Sequence, residues 1–473
     1  MSYLGAAESL VRTHALRIPA ADWDDADSTA PLHHFPPGFP IAIALPMTTG
    51  LPATGAARLV MAAGAGGTAA GLAWLAELAG GTAAALLAPV LFALLPATLD
   101  LHLQVLSEPL FLALLVLTLA LMVVRPERPW AYGTAAALGA MVRYAGLSLA
   151  GAAAAWAWLG RPRWYEGAAP APRARESGAS PLRRAAAAAA PSAVLFAAWA
   201  ARVALTRTSI RQVAYYAGAL AGVHSLGAAV ADQLAPSVGS PALRGVIAAA
   251  ALALLALLLA RGSRRARRSG DAARRLFAAA GLVALAYTAL LLAARAFADP
   301  GIPFDSRLLS PLFLLAALLA AVSLGLCWPH LGAAGRAAAV AALLLWGAGA
   351  AGVFRDELAD ARANGTGYAS RAWRTAPISR WLRGPARDYA LFTNHPMIAY
   401  IQAGRASREL PDTLTPDVLA DFRDVLRARH GAVVGFRDSY RPMVSPDTLA
   451  AKLGLVPLLR SAEGTVWAPP GGN

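Results

Sequence analysis

Long apolar runs, broken by short polar segments, dominate the first three quarters of the chain. A helix that crosses a bilayer needs about 20 mostly apolar residues. The runs therefore predict about ten crossings, two of them short helices paired as a hairpin. The predicted spans are 56–79, 82–99, 107–124, the pair within 130–160, 185–205, 241–260, 275–298, 306–328 and 336–354. We expect an all-α polytopic membrane bundle over residues 56–355.

Residues 356–473 have no such runs and alternate short apolar segments with polar ones. The segments 389–394 and 432–436 predict strands, and 455–469 predicts a hairpin. The segment 416–429 has apolar positions at helical spacing behind a proline, which predicts a helix. We expect a small soluble α/β domain.

Residues 1–55 form a third predicted part, an extracytoplasmic loop. Leu4, Ala7 and Val11 recur on one helical face, which predicts an interfacial helix and not a signal peptide. The stretch HHFPPGFP (33–40) then predicts a rigid turn. Its His34 is a candidate for lining a site, and metal binding is the alternative.

The composition supports a membrane protein. Of the 473 residues, 57% are hydrophobic and 15% are charged, and the mean hydropathy is +0.50. Soluble domains carry about 25% charged residues. The net charge of +15 comes largely from arginines between apolar runs, which argues against nucleic-acid binding. Cys327 is the single cysteine, so an intrachain disulfide is excluded.

The arginine distribution predicts the orientation. Segments 125–129, 161–184 and 261–275 contain two, six and seven arginines and fall on one side if the spans alternate. The positive-inside rule makes that side cytoplasmic. Residues 1–55 and 356–473 are then extracytoplasmic. The bias toward Ala, Gly, Pro and Arg is typical of a GC-rich bacterium, so we expect a bacterial plasma membrane.

The glycine-rich stretch GAGGTAAG (64–71) resembles a phosphate-binding loop but has no strand before it. It lies inside a predicted span, which favours a structural role. Gly67 and Gly71 form a G-x-x-x-G pattern, which allows transmembrane helices to approach closely. We expect these glycines to lie in a helix contact.

Charged residues at the predicted external helix ends are the strongest signals for chemistry. Glu108 begins an apolar run, where it is either functional or a helix N-terminal acid. An unpaired Arg143 at bilayer depth would cost roughly 2.5–3.5 kcal/mol. We therefore expect it at a hairpin tip or beside an anion. Asp305 and Arg307 lie at another helix mouth, where an anionic headgroup or interfacial snorkelling explains the arginine.

Four aspartates, Asp22, Asp24, Asp25 and Asp27, precede the two histidines. Their oxygens suit a divalent cation, but the spacing matches no EF-hand. A solvated acidic loop is the alternative. The sequence therefore predicts no definite metal ligand and leaves a divalent metal ion open as a cofactor.

These pieces resemble a known family when they are taken in order. The motifs are S-Y-L-x-x-A-x-x-L from Ser2, H-x-P-P-G-F-P from His34, LSEPLF (106–111), RYAG (143–146) and FDSRLLSP (304–311). They are similar to motifs of the multi-spanning GT-C glycosyltransferases, which include protein O-mannosyltransferases and aminoarabinose transferases. The likeness covers roughly residues 1–330, and LFTNHPMIAYIQAGR (391–405) resembles the external domain of bacterial members.

The resemblance implies transfer of a sugar from a polyprenyl-phosphate donor to a lipid, glycan or protein on the external face. It also implies a helical bundle in contact with membrane lipids, with a carboxylate acting as base on the acceptor. The candidate catalytic residues are Glu108, Asp25 and Glu8. The candidate substrate-binding residues are His34, Arg143, Tyr144, Asp305 and Arg307.

One family feature is missing from the chain as given. Family members carry a catalytic aspartate at the end of a first transmembrane helix, just before the Y-x-x-x-A segment, whereas this chain begins two residues before Tyr3. We expect that helix and aspartate to be encoded upstream in frame. A lipid-linked sugar transporter and an inactive scaffold are the alternatives. Transporters usually show internal repeats, which are not visible here.

Overall fold

The apolar runs fold as helices in the computed structural model, which describes residues 2–160, 180–206, 215–216, 224–299, 301–438 and 444–470. Each predicted span has a helical counterpart. The helices are α1 Ser2–Thr13, α2 Gly38–Met47, α3 Ala53–Gly80, α4 Thr82–Ala93, α5 Pro96–Leu103, α6 Glu108–Val124, α7 Pro129–Val142, α8 Leu147–Leu159, α9 Pro181–Leu205, α10 His224–Leu234, α11 Pro241–Ser269, α12 Asp271–Phe297, α13 Ser306–Cys327 and α14 Ala333–Asn364. The fold is that of a polytopic helical membrane protein.

Length and composition qualify six of the described helices as membrane spans. These are α3, α9, α11, α12, α13 with its extension to His330, and α14. A seventh is added if α4 and α5, which meet at a 61° bend, form one broken span. Pro96 starts α5 and disfavours a helical backbone at the residue before it; Leu95 is extended, with φ −65° and ψ 129°, which accounts for the break. The shorter α2, α6 and α8 fall below the length criterion, so ten crossings remains a prediction.

The predicted arginine-rich loop at 261–275 is mostly helical. Helix α11 continues to Ser269 and α12 begins at Asp271, so Gly270 alone joins them. Arginine is a good helix former, and its long side chain reaches water from a helix end. The predicted cytoplasmic loop at 161–184 lies almost entirely outside the described residues.

Residues 33–39 and 58–358 form one compact unit, which we call the helical unit. Its helices approach one another closely at small residues, as the G-x-x-x-G pattern predicts. A Cβ on Gly71 of α3 would overlap Val116 of α6, and one on Gly67 would lie 3.6 Å from Ala113. On α7, a Cβ on Gly133 would overlap the carbonyl oxygen of Ala188 in α9.

We expect alanine to have opposite effects at two helical glycines. Gly133→Ala should destabilise the protein by roughly 1–3 kcal/mol, because the added methyl group overpacks the contact with α9. Gly151→Ala should stabilise it by up to about 1 kcal/mol, because Gly151 faces open space within α8 and alanine favours the helix. Melting temperatures in detergent test this, and equal shifts at the two positions would contradict it.

The second compact unit comprises residues 1–32, 40–57 and 359–473, and we call it the sheet unit. Its main sheet has six strands in the order β2-β5-β4-β6-β8-β7, while β1 pairs with β3. The strands are β1 Arg17–Ile18, β2 Ala20–Ala21, β3 Ala30–Pro31, β4 Ala390–Thr393, β5 Ser407–Glu409, β6 Gly431–Phe436, β7 Val456–Arg460 and β8 Gly464–Ala468. The helices are α15 Arg371–Thr375, α16 Pro377–Arg383, α17 Pro396–Ala403, α18 Pro416–Ala428 and α19 Pro446–Leu453.

Alternation along β6 gives the main sheet a core on each face. Val434 joins one cluster with Ile398, whereas its neighbour Val433 joins another with Phe422, because successive strand residues point to opposite faces. The strands predicted at 389–394, 432–436 and 455–469 correspond to β4, β6 and the pair β7–β8. Residues 1–32, which belong to the predicted extracytoplasmic loop, contribute β2, which pairs in parallel with β5.

Candidate active site

A buried carboxylate and two arginines meet in the helical unit. Glu108 is the first residue of α6 and is 3% exposed. Its Oε1 lies 2.6 Å from Nη1 of Arg143, which follows the last residue of α7. Nη1 of Arg143 also donates to the Ser107 hydroxyl at 3.2 Å. The arginine that the sequence placed in an apolar hairpin therefore neutralises the acid at the mouth of α6.

The mouth of α13 supplies the second arginine. Nε of Arg307 lies 3.3 Å from the same Oε1 of Glu108, and the Arg307 side chain is 44% exposed. Asp305 caps α13, since its Oδ1 accepts a hydrogen bond from the Leu308 amide at 2.8 Å. We refer to Glu108, Arg143, Asp305 and Arg307 as the charged cluster.

Close backbone contacts fix the elements that carry the cluster. A Cβ on Gly64 of α3 would lie 2.7 Å from the carbonyl oxygen of Pro109, so only a residue without a side chain fits against the start of α6. A Cβ on Gly38 would lie 2.6 Å from the carbonyl oxygen of Met141, two residues before Arg143. The HHFPPGFP stretch therefore packs against the turn that holds this arginine.

Tyr144 links that stretch to α9. Its hydroxyl donates to the His33 carbonyl at 3.4 Å and accepts from Nε1 of Trp199 at 3.0 Å. His34 packs against its neighbour, with the centroids of the two histidine rings 3.8 Å apart. Among the described residues, no three His, Cys, Asp or Glu side chains are grouped closely enough to hold a metal ion.

Tyr287 is a residue of this site that the sequence analysis missed. Its hydroxyl donates to the Leu308 carbonyl at 2.6 Å, and the charges of all four cluster residues act on it. It lies inside α12 and is almost fully buried. A lone tyrosine hydroxyl within an apolar span was the available signal, because a buried hydroxyl needs a partner.

The other two candidate catalytic acids belong to the sheet unit. Glu8 accepts a hydrogen bond from the Tyr400 hydroxyl at 2.7 Å, and burial and this bond raise the pKa of Tyr400.

Asp25 is exposed, and its carboxylate accepts a hydrogen bond from the Asp22 amide at 3.1 Å. The backbone carbonyl of Asp25 accepts from Arg408 and Arg429. A catalytic role for either acid stays a prediction.

A second polar group lies where β4 and β6 end in the sheet unit. Asn394 is buried and bonds both the amide and the carbonyl of Phe436, at 2.9 and 2.8 Å. Nε2 of His395 lies 3.0 Å from the Tyr368 hydroxyl, which donates to Asp438 at 2.7 Å. Burial and the Asp438 bond raise the pKa of Tyr368 to about 12.

Burial of His395 should make the sheet unit sensitive to acid. Burial lowers the pKa of His395 despite the opposing charge of Asp438. An unfolded histidine titrates near 6.5, so protonation below that pH favours the unfolded chain. We expect stability to fall as the pH drops below about 6.5, by at most about 1.4 kcal/mol per pH unit from this residue. His395→Gln should flatten that slope in melting experiments. An unchanged slope would assign the acid sensitivity to other groups.

No protein-family model and no curated protein match the sequence, so the chain is compared with known proteins through its three-dimensional fold. The crystal structure of ArnT from Cupriavidus metallidurans bound to undecaprenyl phosphate matches with a TM-score of 0.62 at 14% identity. The match covers 99% of this chain and 94% of that one. The chain has the ArnT fold. ArnT in the apo state also matches, with a TM-score of 0.43 at 15% identity. The predicted likeness to GT-C glycosyltransferases such as the aminoarabinose transferases is therefore confirmed for the fold.

Proposed function

We propose that the protein is a membrane glycosyltransferase that moves a sugar from a polyprenyl-phosphate donor to a lipid, glycan or protein acceptor on the external face. One observation carries this proposal. Arg143 and Arg307 converge on Glu108 where apolar helices end, in a chain with the fold of a protein that was crystallised with undecaprenyl phosphate. Guanidinium groups suit phosphate, and apolar helices suit a prenyl chain.

Arg307 is the donor-phosphate ligand in this proposal. It is the more exposed of the two arginines, at 44% against 18% for Arg143, and its distance to Glu108 is the longer one. Arg307 can therefore turn toward an anion at smaller cost. Arg143 stays with Glu108 and keeps the buried carboxylate neutralised.

Glu108 acts in this proposal as a positioning residue and not as the general base. Its Oε1 already faces both guanidinium groups, and the Ser107 hydroxyl lies 3.5 Å from Oε2. The acceptor proton then passes to a carboxylate outside the charged cluster. Asp25 and Glu8 stay the candidates predicted from the sequence; Asp25 is exposed, whereas Glu8 is bonded to Tyr400.

Reconstituted proteoliposomes test the function. The protein is mixed with a donor labelled in its sugar, and labelled product is separated from donor that has only changed leaflet. Covalent transfer supports the enzyme, whereas movement of intact donor supports the transporter alternative. Transfer is then measured in Asp25→Asn, with Asp24→Asn as its control, to test whether Asp25 accepts the proton.

Reporter fusions test the proposed orientation. A reporter placed after Arg268, in the arginine-rich end of α11, should report the cytoplasm. A reporter after Gly404, in the sheet unit, should report the external side. Finding both on one side would contradict the crossing count from which the orientation was inferred.

A further inference from the structure

Three arginines line a cavity of about 360 Å³ in the sheet unit, far along the chain from the charged cluster. The residues that line it are Leu382, Arg383, Arg387, Gln402, Ala403 and Arg405. No acidic residue is among them. The cavity is therefore a concave surface of one charge sign, with one amide and two apolar side chains between the guanidinium groups.

Neutral acceptors hold two of these arginines in place. Arg383 donates to Oε1 of Gln402 at 3.0 Å and to the Arg374 carbonyl. Arg405 donates to the carbonyl oxygens of Ala386 and Tyr389. These bonds fix the side chains but leave their charges unneutralised. Each guanidinium has five N–H donors, so donors remain for a ligand.

The three arginines of this cavity form no ion pair with a carboxylate in the described residues. Within the described part of the chain, no carboxylate oxygen lies within 4.0 Å of Arg383, Arg387 or Arg405. Asp388 is the acid that acts on Arg405, and burial lowers the pKa of that guanidinium despite it. The charged cluster is different, because Glu108 lies between its two arginines. Here Asp388 acts on Arg405 without forming an ion pair, and the three guanidinium groups stay open to an anion from outside the chain.

We propose that Arg383, Arg387 and Arg405 form a binding site for a phosphate-bearing ligand. A carboxylate offers two oxygens in one plane, whereas a phosphate offers three or more around a tetrahedral centre and takes donors from several sides. Arginine matches that geometry through paired N–H donors. The site does not depend on the proposed glycosyl transfer. Its ligand is either a soluble phosphate or the headgroup of a phospholipid.

Titration calorimetry of the full-length protein in detergent tests the site, with inorganic phosphate and pyrophosphate as probes. Arg387 is exposed, and its side chain makes no hydrogen bond or ion pair with the described residues, so Arg387→Gln should leave the fold intact. We expect it to weaken binding about tenfold, as the loss of one charge-assisted bond implies. Adding Arg383→Gln should weaken binding further. Arg380→Gln is the matched control, because Arg380 is exposed on α16 but does not line the cavity.

A second arm separates the two ligand sources. Short-chain phosphatidic acid and short-chain phosphatidylcholine replace the soluble probes. Binding of phosphatidic acid alone, lost in Arg387→Gln, supports the proposal with a lipid headgroup as ligand. Loss of phosphate or pyrophosphate binding supports it with a soluble ligand. If wild type binds none of the probes, or if Arg387→Gln and Arg380→Gln bind as wild type does, the proposal is overturned.

Discussion

Arg307→Ala is expected to lower sugar transfer by about 100-fold or more while the protein stays inserted and folded. An arginine that faces the donor phosphate stabilises the charge that develops when the glycosidic bond breaks, and losses of one such donor commonly reach that size. Its side chain is 44% exposed, so its removal leaves no large cavity. Initial rates with the labelled donor measure the effect.

A lysine at position 307 and an arginine outside the charged cluster serve as the controls for this result. Arg307→Lys should recover part of the rate, because an ammonium group keeps the charge but loses the paired donor geometry. Arg58 is exposed in α3 and lies outside the charged cluster, so Arg58→Ala should leave the rate unchanged. Full activity in Arg307→Ala would show that this arginine only anchors α13 at the membrane surface.

Breaking the buried pair is expected to have the largest effect on stability. Arg143→Gln leaves the Glu108 carboxylate 3% exposed with Arg307 at 3.3 Å as its remaining cation. Loss of one partner of a buried pair costs about 3–5 kcal/mol, and Arg307 should hold the cost near the lower end. The variant should therefore melt at a clearly lower temperature in detergent.

Removing both charges should restore much of that loss. The double variant Glu108→Gln/Arg143→Gln carries no uncompensated carboxylate, and its two side-chain amides can donate and accept hydrogen bonds with each other. We expect it to melt above Arg143→Gln and near wild type. If the two single effects simply add, Glu108 and Arg143 do not interact as their 2.6 Å distance implies.

The apolar pattern predicted the helices well because membrane insertion leaves few alternatives for a long apolar run. It also placed Glu108, Arg143 and Arg307 at helix ends on one side. Their meeting at a single oxygen follows from contacts distant in sequence, such as Gly64 against Pro109, which no local pattern encodes. Local pattern also fails to predict part of the sheet unit, because β2 is only two residues long and is too short to show a strand periodicity. Its pairing with β5 depends on the tertiary fold.

Pairing of β2 with β5 has a consequence for synthesis of the protein. Ala20 pairs with Ser407, so the earliest strand of the main sheet waits for its neighbour until most of the polypeptide has left the ribosome. At 5–20 residues per second this delay lasts roughly 20–80 s, during which every membrane helix is made. A chain that is interrupted before residue 400 leaves both β2 and the Glu8 carboxylate without their partners. The N-terminal segment of a truncated chain therefore stays exposed. Proteases that cut exposed segments would degrade truncated chains before finished ones.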